Sequence, residues 1–93
     1  MVVTRINEFV AADGKSKELD EFLNSLIPFI SGSEGCISCQ VLTGLEDSQK
    51  FIVVEQWQSV EDHKKSLEKF PKDEMQAAMS LFGAPPKGDY YKD

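Results

Sequence analysis

Hydrophobic positions change period several times along the chain, and each change marks an element. Val2 to Val10 alternates, with Val2, Thr4, Ile6 and Glu8 on one side and Val3, Arg5, Asn7 and Phe9 on the other, which predicts a first strand. Asp13-Gly14 ends it with turn chemistry, and Ser16 is placed to cap a helix that begins at Lys17. Leu19, Phe22, Leu23, Leu26, Ile27 and Ile30 then recur at helical spacing and leave Glu18, Asp20, Glu21 and Asn24 to solvent. Pro28 falls inside this run. Its ring removes the amide that would bond Asn24 and crowds that carbonyl, so the spacing predicts a kink or an end near Ile27. After a Ser31–Gly35 loop, Cys36 to Thr43 reads as a second strand, and the polar stretch Gly44–Gln49 joins it to the third as a hairpin.

The third strand, Phe51 to Trp57, is the most strand-like run of the chain. Phe51, Val53, Glu55 and Trp57 fall on one face and Ile52, Val54 and Gln56 on the other, so apolar side chains point both ways and both faces need cover. Ser59 is an N-cap candidate with Asp62 at the capping-box position, and Val60, Lys64, Leu67 and Phe70 form a thin seam on the helix that follows. Pro71 opens a further helix with Met75, Ala78, Met79 and Phe82 inward, Gly83 to Gly88 is a linker, and Tyr90-Tyr91 closes the sheet as a short strand. Strand, helix, strand, strand, helix, strand is the split βαβ order of a ferredoxin-like α+β fold, βαββαβ, with one antiparallel sheet and its helices on a single side. In that topology strands one and three are central. The uncovered sheet face then predicts a homodimer, because burying a Val or Ile side chain contributes roughly 1.5–3 kcal/mol.

Length and charge narrow the classes. A chain of 93 residues makes one domain, residues 1–93. With a formal charge of -6 it repels phosphate backbones and anionic lipid, which argues against nucleic acid and membrane surfaces as partners. The amino terminus, Met-Val-Val-Thr-Arg-Ile, lacks the order of a signal peptide, and no apolar run has transmembrane length, so a cytoplasmic location is expected. Cys36 and Cys39 have Cys-x-x-Cys spacing. In a strand, residues three apart point to opposite faces, and the one histidine lies far away in sequence, so the pattern predicts buried, inert thiols and no metal.

Three segments resemble the antibiotic biosynthesis monooxygenase domain of the dimeric α+β barrel superfamily. They are Asp13-Gly14-Lys15 after the first strand, Ser33-Glu34-Gly35-Cys36-Ile37-Ser38, and Phe51-Ile52-Val53-Val54-Glu55-Gln56-Trp57-Gln58-Ser59. The family's counterparts are a Pro-Gly-Lys turn, a Glu-Pro-Gly-Cys loop and a Glu-x-Trp-x-Ser strand-to-helix junction, and the match runs from about Val2 to Phe70. The resemblance implies a homodimer packed sheet to sheet, with a pocket in each subunit between the sheet and its own helices. It also implies oxygenation of phenols without metal or flavin, quinol oxidation, or haem degradation, depending on the member. Position 39, commonly Tyr in relatives, is Cys39. The helix position that often bears His falls on Ser66, with His63 one turn earlier. Asn7 matches the haem-degrading branch, but the Trp and His of that branch fall on Ser66 and Gln76, which sets haem aside.

Oxygenation without a cofactor needs a dry pocket, a flat apolar surface, and groups that favour a phenolate able to give an electron to oxygen. Asn7 is placed to polarise a carbonyl or, alternatively, to bond a neighbouring loop; Arg5 shares its strand face. His63 has the pKa range of a general base, while its neighbours Asp62 and Lys64 suit a solvated surface residue. Trp57 either stacks on a substrate ring at the pocket mouth or locks the third strand to the following helix. Glu55 calls for a partner, and Arg5 across the sheet predicts a structural ion pair. Phe22, Met75, Met79 and Phe82 would form a soft apolar wall, either pocket or core. The function that follows is a monooxygenase or quinol oxidase acting on a small aromatic, phenol- or quinol-type molecule with no cofactor, Asn7 and His63 being catalytic and Trp57, Arg5, Phe22 and Met79 binding the substrate. The alternative is a non-catalytic dimer that binds a small molecule or regulates.

Overall fold

A computed structural model describes residues 2–93. The elements are β1 (Val3–Val10), α1 (Ser16–Ser25), α2 (Ile27–Ser31), β2 (Cys36–Thr43), β3 (Lys50–Trp57), α3 (Val60–Lys69), α4 (Lys72–Ala78), a 3-10 turn at Met79–Leu81, and β4 (Lys87–Lys92). The four strands form one sheet in the order β2-β3-β1-β4, every pairing antiparallel, so β1 and β3 are central as the alternation required. Among the described residues no helix is long and apolar enough to cross a membrane.

Register decides which side chains share a face. Val3, Arg5, Asn7 and Phe9 stand opposite Trp57, Glu55, Val53 and Phe51, and Tyr90 and Gly88 of β4 stand opposite Arg5 and Asn7. This is the face under the helices, where Phe51, Val53, Glu55 and Trp57 are all buried. Leu19, Leu23 and Leu26 pack onto it with Ala11 to make the core. On the opposite face Ile6, Ile52 and Val54 are half-buried without any helix above them, and Leu42 is exposed.

Local chemistry sets the helix ends, with two departures from expectation. α1 starts one residue early: the Asp13-Gly14 turn, with Gly14 at φ 74°, brings Lys15 N–H to the Ala12 carbonyl. Lys15 therefore takes the cap position, and Ser16 enters the first turn with no side-chain cap bond. At the other end the helical run divides in two. Leu26 N–H tightens onto the Leu23 carbonyl at 3.1 Å, and α2 restarts with Pro28 in its first turn, where no amide is needed.

The inner face of α3 is the second departure. Ser59 Oγ accepts the Asp62 N–H at 3.1 Å, as a cap should, but the buried residues are His63 and Ser66, while Leu67 is 55% exposed. Two contacts at the entrance set this rotation. Gln58 N–H donates to the Gly35 carbonyl at 2.8 Å, and Asp62 presses on Gly35 where any Cβ would stand. Gly35, at φ 83°, is thus glycine for both backbone and space.

The two cysteines share a face rather than opposing one another. A bulge between Cys36 and Ser38 inserts Ile37, so Cys36 stands opposite Trp57 and Cys39 opposite Glu55. Both are free thiols of intermediate burial. Burial, then the Glu55 charge, pushes both up, Cys39 to about 12.

Candidate active site

Two strands and one helix bring polar groups to one end of a cavity between sheet and helices. The cavity holds about 270 Å³, with Arg5, Asn7, Glu55 and His63 at its polar end and side chains such as Phe9, Phe29, Phe70 and Met75 along its walls. Phe29 and Phe70 meet edge to face at 5.2 Å and form a rigid aromatic wall. A larger groove of about 480 Å³, between α2 and α3, contains none of Arg5, Asn7 and Glu55.

Glu55, 4% exposed, is the hub of the polar end. Its Oε1 accepts from Trp57 Nε1 at 2.9 Å and its Oε2 from Asn7 Nδ2 at 3.1 Å. Arg5 Nε donates to Asn7 Oδ1 at 3.0 Å, so the expected Arg5–Glu55 pair is relayed through Asn7. The relay follows from spacing: Arg5 and Asn7 are two residues apart on β1, side by side, with Glu55 across from them. Burial raises the Glu55 carboxyl above its ordinary range, against the opposing pull of the Trp57 bond, the Arg5 charge and the Asn7 bond.

His63 is buried, 4% exposed, and not the solvated residue that its neighbours in sequence suggested. Its ring meets Trp57 and Tyr90 edge to face, each at 5.4 Å. Nδ1 lies 2.6 Å from Tyr90 Oη and Nε2 lies 3.8 Å from Glu55 Oε1. The second approach is too long for a hydrogen bond. Nor is it an ion pair at neutral pH, because burial, with Arg5 and Lys64 adding repulsion, lowers the imidazole to about 4 and keeps it uncharged.

That depression has a sign for stability. Between about pH 4 and 6.5 the unfolded chain binds a proton at His63 that the folded chain refuses, so stability is lost as pH falls through this window, by about 2–3 kcal/mol. Glu55 acts the other way, since its raised carboxyl binds a proton more readily folded than unfolded and regains stability on acidification. The urea midpoint should fall between pH 7 and pH 4.5, and His63→Gln should flatten the fall. A pH dependence left unchanged by His63→Gln would mean that the imidazole is not kept neutral.

Of the remaining candidates, Trp57 is 0% exposed and lies behind the polar end, in the core role that locks β3 to α3, and not at a pocket mouth. Phe22 and Met79 do not join the site. Phe22 faces a separate groove beside Ala78 and Leu81, because α1 turns that side of its stripe toward α4. Met79 is 62% exposed, since the helical run ends at Ala78 and tightens into the 3-10 turn. Tyr90 and the hub position of Glu55 were missed by sequence reading. Parity carried a signal for both, as Arg5, Glu55 and Tyr90 lie across from one another in three adjacent strands. Among the described residues no cluster of three or more His, Cys, Asp or Glu side chains could hold a metal ion.

The sequence profile described as Antibiotic biosynthesis monooxygenase matches residues 2–80. The chain belongs to this family. Members of the antibiotic biosynthesis monooxygenase family share the architecture described above, and solved structures match it over nearly the whole chain. Rv0793 from Mycobacterium tuberculosis superposes with a TM-score of 0.86 at 15% identity, covering 100% of this chain and 95% of that one. PA3566 from Pseudomonas aeruginosa gives 0.84 at 20%, covering 99% and 93%. A point mutant of SnoaB, a cofactor-independent oxygenase from Streptomyces nogalater, gives 0.82 at 15%, covering 99% and 92%. At these identities the likeness is one of fold. No curated protein sequence matches the chain.

Proposed function

We propose that this family member oxidises a small phenol- or quinol-type aromatic with dioxygen and no cofactor, and that Glu55 is the proton acceptor. The observation that carries this is a buried carboxylate, its proton affinity raised, at the polar end of a mostly apolar cavity of about 270 Å³. A volume just under the usual range for ligand pockets suits a flat molecule of one to three fused rings. The ring lies against Phe29 and Phe70 with its hydroxyl toward Glu55. Asn7 uses one Nδ2 hydrogen on Glu55 and has a second for the phenolate oxygen, and Arg5 has guanidinium hydrogens beyond the one given to Asn7. Loss of the hydroxyl proton to Glu55 leaves a phenolate that gives an electron to dioxygen. In an anthrone-type ring, recombination at carbon and loss of water leave a carbonyl; a quinol gives quinone and hydrogen peroxide.

His63 keeps a place in this scheme, with a changed role. An imidazole lowered to about 4 is a weak base but a neutral hydrogen-bond donor. Oxygen uptake with a panel of hydroquinones and anthrones tests the activity; no uptake above background for any of them would favour the non-catalytic, ligand-binding reading.

The bare sheet face supports pairing with a second copy. Ile6 and Val54 are cross-strand partners there, half-buried, with Ile52 beside them. Sedimentation at micromolar concentration should find a dimer, and Val54→Lys a monomer that keeps its fold. A wild-type monomer would overturn this assembly.

A further inference from the structure

The polar end depends on a strand that lies outside the family match. That match covers residues 2–80, whereas β4 spans Lys87–Lys92 and reaches three of the four polar-end residues. Gly88 lies against Arg5 and Asn7 so closely that a Cβ would strike the Arg5 guanidinium and Asn7 Oδ1. Two residues on, Tyr90 lies under the Arg5 guanidinium, 4.6 Å from ring centroid to Cζ, and sets its hydroxyl 2.6 Å from His63 Nδ1.

We propose that Tyr90 is a positioning residue that fixes the tautomer of His63, its hydroxyl donating to Nδ1 so that the imidazole proton sits on Nε2 and faces Glu55. The assignment follows from what surrounds each ring nitrogen. Nε2 is 3.8 Å from Glu55 Oε1, an oxygen that already accepts from Trp57 and holds negative charge when the carboxyl is ionised. A lone pair on Nε2 would face that charge and be repelled, whereas an N–H there is attracted. Nδ1 must then carry the lone pair, and Tyr90 is the donor within reach. The Arg5 cation packed on the phenol ring holds Tyr90 in the orientation that points its hydroxyl at Nδ1. The outcome is a neutral imidazole that offers N–H to Glu55 or to an oxygen bound beside it. This role rests on the proposed oxidation only for its catalytic consequence; the tautomer itself is a property of the free protein.

The chain has one histidine, so its imidazole can be read without ambiguity by nuclear magnetic resonance on protein labelled with nitrogen-15 in histidine. At neutral pH the wild type should show a downfield proton in the short bond with no one-bond nitrogen splitting, and a protonated Nε2. In Tyr90→Phe that proton should vanish and the Nδ1 resonance should return toward that of an unbonded ring nitrogen, while the circular dichroism spectrum is kept. A nitrogen-split proton at Nδ1 in the wild type, or a Tyr90→Phe spectrum with Nδ1 unmoved, would overturn the proposal; the wild-type spectrum decides even where the variant does not fold. With an active substrate, Tyr90→Phe should lower kcat about tenfold with KM little changed, one neutral hydrogen bond in free energy. Failure to find any substrate would count against the oxidation and leave the tautomer result standing.

Discussion

Replacing Glu55 with glutamine should lower oxygen-dependent turnover of an accepted phenol by about a hundredfold or more, with KM nearly unchanged. Glutamine keeps the shape of the side chain and one acceptor oxygen, so either the Trp57 or the Asn7 bond survives. What it loses is the capacity to take a proton. Among the described residues no second carboxylate lines the cavity, and His63, held neutral to about pH 4, is a poor substitute for removing a proton from a phenol. The measurement is steady-state oxygen consumption for the two proteins, alongside their urea midpoints to separate catalysis from folding. Equal turnover would move the proton to water or to the substrate's own chemistry and remove Glu55 from the mechanism.

Truncating Trp57 to alanine should destabilise the fold by about 3–5 kcal/mol, a large part of the total stability of a domain this size. The ring is fully buried, so its loss opens a void that β3 and α3 can close only in part. It also removes the Nε1 donor from Glu55 Oε1 in a buried setting, which adds the cost of an underbonded carboxyl. Because that donor favours the ionised form, the Glu55 carboxyl should rise further in the variant. Chemical denaturation followed by circular dichroism checks the first expectation. A loss below about 1 kcal/mol would mean that the ring is a pocket surface after all.

The fold was legible where a period is long and uninterrupted. Phe51–Trp57 shows alternation on both faces, and the structure makes it a central strand of the sheet. Pro28 announced the break between α1 and α2 because its missing amide acts locally. The errors arose where distant contacts overrule local pattern. The rotation of α3 is set by Gly35 against Asp62, residues 27 positions apart that no helical period reveals, so Leu67 looked inward and His63 outward. The cysteines moved to one face through a single inserted residue, Ile37. In the candidate site, shared parity on one strand was enough to group Asn7 with Arg5, and both line the cavity. Tyr90 was not, since its relation to His63 needs the register of β4 and the rotation of α3 together.

The division of labour between the sheet and the short helices α2 and α4 bears on how such a protein diversifies. Rigid strands set the acid and amide groups, while segments of five and seven residues roof the hollow above them. Substitutions in the roof can therefore reshape the hollow without disturbing Arg5, Asn7 and Glu55 beneath it, so its contour and its polar floor are free to vary independently.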